Sequence, residues 1–171
     1  MANASRVKTL RFIREAEGYL ELGMPVRALE MLEEIDDAGT HRGRLLLLKG
    51  EALRSLRRYG EAIVVLDEAA EISPSDIHVW LALGWCQKRS GRLDLAIEAL
   101  EHAQEVEPGE ALIYYNLACY WSLAENKRNA LWHLSKALTI EPDFRDLIEE
   151  EPDFDPLRDD PDFQSLTNII V

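Results

Sequence analysis

Small and apolar residues recur in this chain at intervals of 34, and no other feature constrains its fold as tightly. Gly50, Gly84 and Ala118 keep that spacing, as do Ala62, Ala96 and Ala130. Leu66, Leu100 and Leu134 repeat it, Ala69, Ala103 and Ala137 repeat it again, and Pro74, Pro108 and Pro142 close each unit. Several positions sharing one period mark a chain of stacked supersecondary units, each too small to bury its apolar face alone. One interval earlier Ala16, Ala28 and Leu32 continue the series, with Thr40 in place of the proline.

Within each period the apolar residues follow helical spacing in two blocks. GRLLLLKGEALRSL reads as one helix and YGEAIVVLDEAAEI as its antiparallel partner. Sustained two-residue alternation is absent, so strands are not expected. Gly50, Ala62 and Ala69 leave room for close helix approach, and Leu66 fills the layer between units. Ser75 and Asp76, after Pro74, offer helix N-caps to the next unit. The expected fold class is all-α.

The order of residues within the period resembles the tetratricopeptide repeat family. Trp80, Leu83, Gly84, Ala96, Leu100 and Pro108 carry the family pattern best. Tyr114, Leu117, Ala118, Trp121, Ala130, Leu134 and Pro142 follow closely. Leu46, Gly50, Leu53, Ala62, Leu66 and Pro74 form a weaker unit, and Phe12, Ala16, Tyr19, Gly23, Ala28 and Leu32 a degenerate first one. The resemblance implies a right-handed α-solenoid with repeats at about 9–42, 43–76, 77–110 and 111–144, so an array over 1–144. Residues 145–171 are left as an acidic capping segment.

In that last stretch Pro-Asp-Phe occurs three times, ending at Phe144, Phe154 and Phe163. Pro152 stops any helix begun at Phe144. Asp155-Pro156 and Asp160-Pro161 each read as an N-cap followed by proline at the first helical position. Phe144, Phe154, Leu157, Phe163 and Leu166 are expected to cover the apolar face of the last helix pair, because a terminal repeat has no neighbour to bury against. A short linear motif read by a partner is the rival interpretation. Such endings resemble those of many bacterial repeat proteins.

The formal charge of −13 is uneven: residues 1–60 sum to +2, residues 61–136 to −6, and the last 35 to −9. Phosphate binding needs a basic footprint, so nucleic acid is disfavoured as a partner. No run of about 18 apolar residues suggests a membrane span. The N-terminus lacks a leader pattern, and Cys86 and Cys119 provide no disulfide framework. The expectation is a soluble cytoplasmic protein.

No catalytic constellation, metal-ligand spacing or cofactor motif stands out. His41, His78, His102 and His133 are far apart and read as exposed helix residues. Cys86 is expected in the core and Cys119 at the edge of a groove, neither with a partner for redox or nucleophilic work. Trp80 and Trp121 fall on packing positions rather than on a base-stacking surface. The chain is not expected to be an enzyme.

By resemblance, function sits on the concave face lined by the first helix of each pair. Its lining is expected to include Leu47, Glu51, Arg54, His78, Leu81, Trp85, Lys88, Tyr115, Asn116 and Cys119, with Ile13 and Glu17 in the first unit and Arg44 and Arg89 at the edges. Leu47, Leu81, Trp85 and Tyr115 should make a central apolar strip, with Arg54, Lys88 and Arg89 as a basic rim. Only Asn116 matches the family's carboxylate clamp for chaperone tails, since Ile13 and Glu17 stand where it wants Lys and Asn. The leading expectation is an adaptor that binds a peptide or helical segment of another protein, apolar with some acidic residues. A secretion-type chaperone and a self-assembling scaffold are the alternatives.

Overall fold

A computed structural model describes residues 2–167, with side chains from Val7 onward. Among the described residues it contains ten α-helices and no strand. The chain divides into two compact units, Met1–Gly91 and Arg92–Val171.

The first unit holds α1 (Ala2–Glu21), α2 (Pro25–Glu33), α3 (Arg42–Ser55), α4 (Tyr59–Ile72) and α5 (Ile77–Arg89). Here α1 packs on α2, α3 on α4, and α5 on both α3 and α4. Ala28, Leu32, Ala62, Leu66 and Ala69 are fully buried. The glycine at 50 is required by contact, since a Cβ there would lie 2.5 Å from the Leu66 side chain. The second unit holds α6 (Leu93–Val106), α7 (Ala111–Leu123), α8 (Lys127–Ile140), α9 (Arg145–Ile148) and α10 (Pro161–Thr167). Ala96, Leu100, Ala103, Ala130, Leu134 and Ala137 are buried without exposure, so the periodic residues are the core. Each leucine buried this way contributes about 1.5–3 kcal/mol.

The turns obey the same period. Gly23, Arg57, Gly91 and Glu125 stand 34 apart and all have positive φ, at 68°, 59°, 74° and 56°. At three of them two hydrogen bonds close the preceding helix in a Schellman motif. In one, Arg57 N donates to Arg54 O and Arg58 N to Leu53 O, each at 2.9 Å. Residues Gly23–Met24 and Glu125–Asn126 repeat that pattern. Arginine and glutamate therefore occupy a left-handed backbone that glycine adopts without strain.

Between helix pairs, an aromatic residue of α5 and one of α7 each satisfy the turn before their helix. Trp80 Nε1 donates to Pro74 O at 2.8 Å, and Tyr114 Oη donates to Pro108 O at 2.9 Å. Asp76 caps α5 by accepting from His78 N, and Glu110 caps α7 by accepting from Leu112 N.

After α8, a 3-10 turn (Pro142–Phe144), α9, a 3-10 helix (Pro152–Leu157) and α10 complete the chain's described part. Pro-Asp-Phe starts a helical segment each time. Glu151 caps the second copy through Asp153 N, and Asp160 caps the third through Asp162 N and Phe163 N. The expected cap at Asp155 is a correction: Pro156 lies inside the 3-10 helix that Glu151 begins. Phe154, Phe163 and Ile148 are buried, Phe144 and Leu166 are half-buried, and the 3-10 helix packs on α7 while α10 packs on α8. Lys127, at the start of α8, bridges Asp160 and Asp162 at 2.7 Å each.

Candidate functional site

The period places Leu47, Leu81 and Tyr115 at equivalent points of α3, α5 and α7, and Glu51, Trp85 and Cys119 one turn later. Their environments differ. In the first unit, Trp85 is half-buried under other side chains rather than bare. The Arg54 guanidinium lies over its ring at 5.1 Å, that of Arg89 at 5.7 Å, and the Tyr59 ring meets it edge-on at 5.5 Å. Arg89 also reaches the Tyr59 ring, at 5.9 Å. Such cation–π contacts hold an indole in place while leaving the guanidinium edges able to donate hydrogen bonds.

Arg54 is fixed from its own helix, since its Nε donates to Glu51 at 3.0 Å and a second nitrogen pairs with the same carboxylate. The thiol of Cys86 is fully buried, and desolvation pushes its pKa up to about 11. It therefore stays protonated and serves as packing. Lys88 is half-buried, Arg89 and His78 are exposed, and Leu81 is half-buried. Arg44 pairs with Glu17 at 2.8 Å, joining α3 to α1, and Ile13 is buried.

Tyr59 is the residue that sequence reading missed. It begins α4, a second helix, and its counterpart one period later is Leu93, so no repeated aromatic draws attention to it.

Several expected placements are corrected by burial. Leu47 is only 3% exposed and Tyr115 only 5%, so they cannot form an open apolar strip. In the second unit Phe144 and Phe154 pack edge-on against Tyr115 at 5.2 and 5.7 Å. The chain's own C-terminal segment thus covers the face that α7 was expected to offer. Cys119 is buried rather than at a groove edge, and Asn116 is half-buried on α7. His133 is also buried, not exposed. Its Nδ1 meets Asn129 O at 2.8 Å, and desolvation holds its pKa below the usual histidine range.

Residues 53–118 match the tetratricopeptide repeat family. The chain contains tetratricopeptide repeats. The chain is similar to the human protein O-mannosyl-transferase TMTC1, at 30% identity over 110 residues, which is 64% of this chain and 12% of that protein. The chain therefore spans about an eighth of that relative's length. Among solved structures it is similar to YrrB, a TPR protein with an unusual peptide-binding site, at 29% identity and a TM-score of 0.70 over 79% of this chain and 70% of that one. MamA aligns at 22% identity with a TM-score of 0.73, covering 79% of both chains. A chain of the APC/C hetero-tetramer Cut9–Hcn1 aligns at 19% identity with a TM-score of 0.74, over 84% of this chain and 30% of that one. These likenesses establish an all-α, helical-repeat solenoid fold. No helix of the described residues is long and apolar enough to cross a membrane.

Proposed function

We propose that this protein is a non-catalytic adaptor that binds a peptide or helical segment of a partner protein on the face formed by α3 and α5. The carrying observation is Trp85, half-buried with the guanidinium groups of Arg54 and Arg89 at 5.1 and 5.7 Å from its ring. An aromatic anchor ringed by cations suits a segment that presents an apolar side chain next to Asp or Glu. Glu51, Arg54, Leu81, Trp85, Lys88, Arg89 and Tyr59 are the residues we assign to contact. The peptide-binding site of YrrB, a structural relative at 29% identity, supports a peptide as the ligand class. The array we read as residues 1–144 and the cap as 145–171, so Tyr115, Asn116 and Cys119 belong to the covered end rather than to the contact surface.

A displayed library of random peptides tests this. The intact protein should enrich peptides that place an acidic residue beside a large apolar one. A Trp85→Ala, Lys88→Glu, Arg89→Glu variant should lose them by more than about tenfold, since anchor truncations cost about 2 kcal/mol or more. Equal enrichment by both proteins would sink the assignment.

A further inference from the structure

We propose that Cys119, Glu151 and Asp153 form a binding site for a divalent transition-metal ion of the zinc class, with the Tyr115 hydroxyl beside it. Cys119 and Glu151 are 32 positions apart in sequence and show no ligand spacing, but the fold brings them together. Cys119 sits one helical turn after Tyr115 on α7, and Glu151 and Asp153 flank Pro152 at the start of the 3-10 helix that packs on α7. One sulfur and two carboxylate oxygens lie within 4.8 Å of one another. Zinc bonds of about 2.0–2.3 Å set tetrahedral ligands roughly 3.3–3.8 Å apart, so closing on an ion takes a shift of about 1 Å.

Three further features favour an ion at this place. Tyr115 is 5% exposed, and its hydroxyl is buried without a hydrogen-bond partner, a condition that costs free energy unless a ligand relieves it. The Tyr115 ring meets Phe154, the residue after Asp153, edge-on at 5.7 Å, and Cys119 lies one helical turn further along α7. The neighbouring cation, Arg158, spends its donors elsewhere: on the Asp155 carboxylate at 2.9 Å and on the carbonyls of Ile148 and Glu151 at 3.3 and 2.8 Å. The Glu151 carboxylate is held in position by accepting from Asp153 N at 3.1 Å.

The donor set selects the ion. A thiolate excludes magnesium and calcium, which take oxygen ligands, whereas one sulfur with two carboxylates suits zinc or cobalt. Binding releases the Cys119 proton and ties the C-terminal segment to α7, so the ion acts as a structural staple. This site lies in the second unit and does not rest on the Trp85 surface.

Cobalt titration of the full chain is the test, read by absorbance. The intact protein should develop a thiolate-to-cobalt charge-transfer band that zinc abolishes by competition. Cys119→Ser should show no band although Cys86 is retained. Glu151→Gln, which keeps a capping oxygen, combined with Asp153→Asn should weaken binding by more than about tenfold while both cysteines remain. Zinc should raise the melting temperature of the intact protein by several degrees, about the effect of a hundredfold excess over Kd, and should not raise that of either variant. Far-ultraviolet circular dichroism confirms that both variants are folded. Absence of the band in the intact protein, or an equal zinc effect in protein and variants, overturns the proposal in favour of a plain thiol packed against a capping carboxylate.

Discussion

Trp85 and Tyr115 are both large aromatics on the first helix of a repeat, and the two units of the molecule treat them differently. In the first unit Trp85 is covered by the side chains of Arg54 and Arg89, whose long aliphatic stems end in charged, hydrogen-bonding groups. In the second unit Tyr115 is covered by Phe144 and Phe154, which are apolar and anchored by their own backbone turns. The charge shows the same division. Residues 1–91 hold 13 basic and 14 acidic residues, a net of −1, whereas residues 92–171 hold 6 and 18, a net of −12. One unit keeps an aromatic available behind a basic screen, and the other closes its aromatic under an acidic cap.

The sharpest way to break this contrast is to truncate on both sides of it. Phe154→Ala removes a fully buried ring that touches Tyr115 and Phe163, and should cost about 3–5 kcal/mol in urea unfolding. Trp85→Ala removes a half-buried ring that touches Arg54, Arg89 and the edge of Tyr59, and should cost only about 1–2 kcal/mol. Equal losses would mean that Trp85 is a core residue and the two units are not different.

A smaller effect separates turns from faces. Arg57→Gly and Glu125→Gly should each stabilise the protein by about 0.5–1 kcal/mol, because glycine relieves the left-handed strain at both turns. Gly91→Ala should lose about 1 kcal/mol by the same argument, since nothing lies within 4 Å of an added Cβ and only the backbone objects. If the glycine variants are neutral, the Schellman hydrogen bonds already absorb the strain.

The smallest effects are in pH, and their signs oppose one another. His133 has a folded pKa below its ordinary 6.5, so the folded state binds fewer protons than the unfolded chain. Its contribution is full above pH 6.5 and declines as the pH falls from there towards the lowered value. Cys86 keeps its proton up to about 11 when folded, whereas the unfolded thiol ionises near 9.0, so stability declines as the pH rises across that window. Melting temperatures across both windows, with His133→Gln flattening the acid limb and Cys86→Ala the alkaline one, check each assignment separately. An acid limb unchanged by His133→Gln would assign it to other groups.

Much of the fold is legible in the sequence, and for a definite reason. A stacked repeat buries the same positions in every unit, so Ala62, Leu66 and Ala69 advertise their burial by recurring. The third Pro-Asp-Phe copy is legible too, because the Asp160 cap, a proline at the first position and a buried Phe163 each belong to a helix start. The cap at Glu151 rather than Asp155 is not, since either acid precedes a proline and only the backbone path distinguishes them. Arg57 and Glu125 give no sign of a left-handed turn, because their residue types argue against it and only their register with Gly23 and Gly91 reveals it.

The candidate site is less legible. Trp85 can be found from its place in the period, but Tyr59 and the covering role of Arg54 cannot, because both depend on which side chains of α3 and α4 reach α5. Tyr115 reads as part of an open face because a period carries no information about a segment beyond the last repeat that folds back on it.

The sequence by itself determined an all-α chain of helix pairs, its core positions and the helix start at Asp160, since these rest on local periodicity and capping. The tertiary structure alone decided which face stayed accessible. It set Phe154 on Tyr115, Arg54 on Trp85, and Cys119 beside Glu151 and Asp153. Those choices depend on long-range packing, where burial of an aromatic by about 0.5–1.5 kcal/mol of specific ring contact is settled between elements and leaves no local trace.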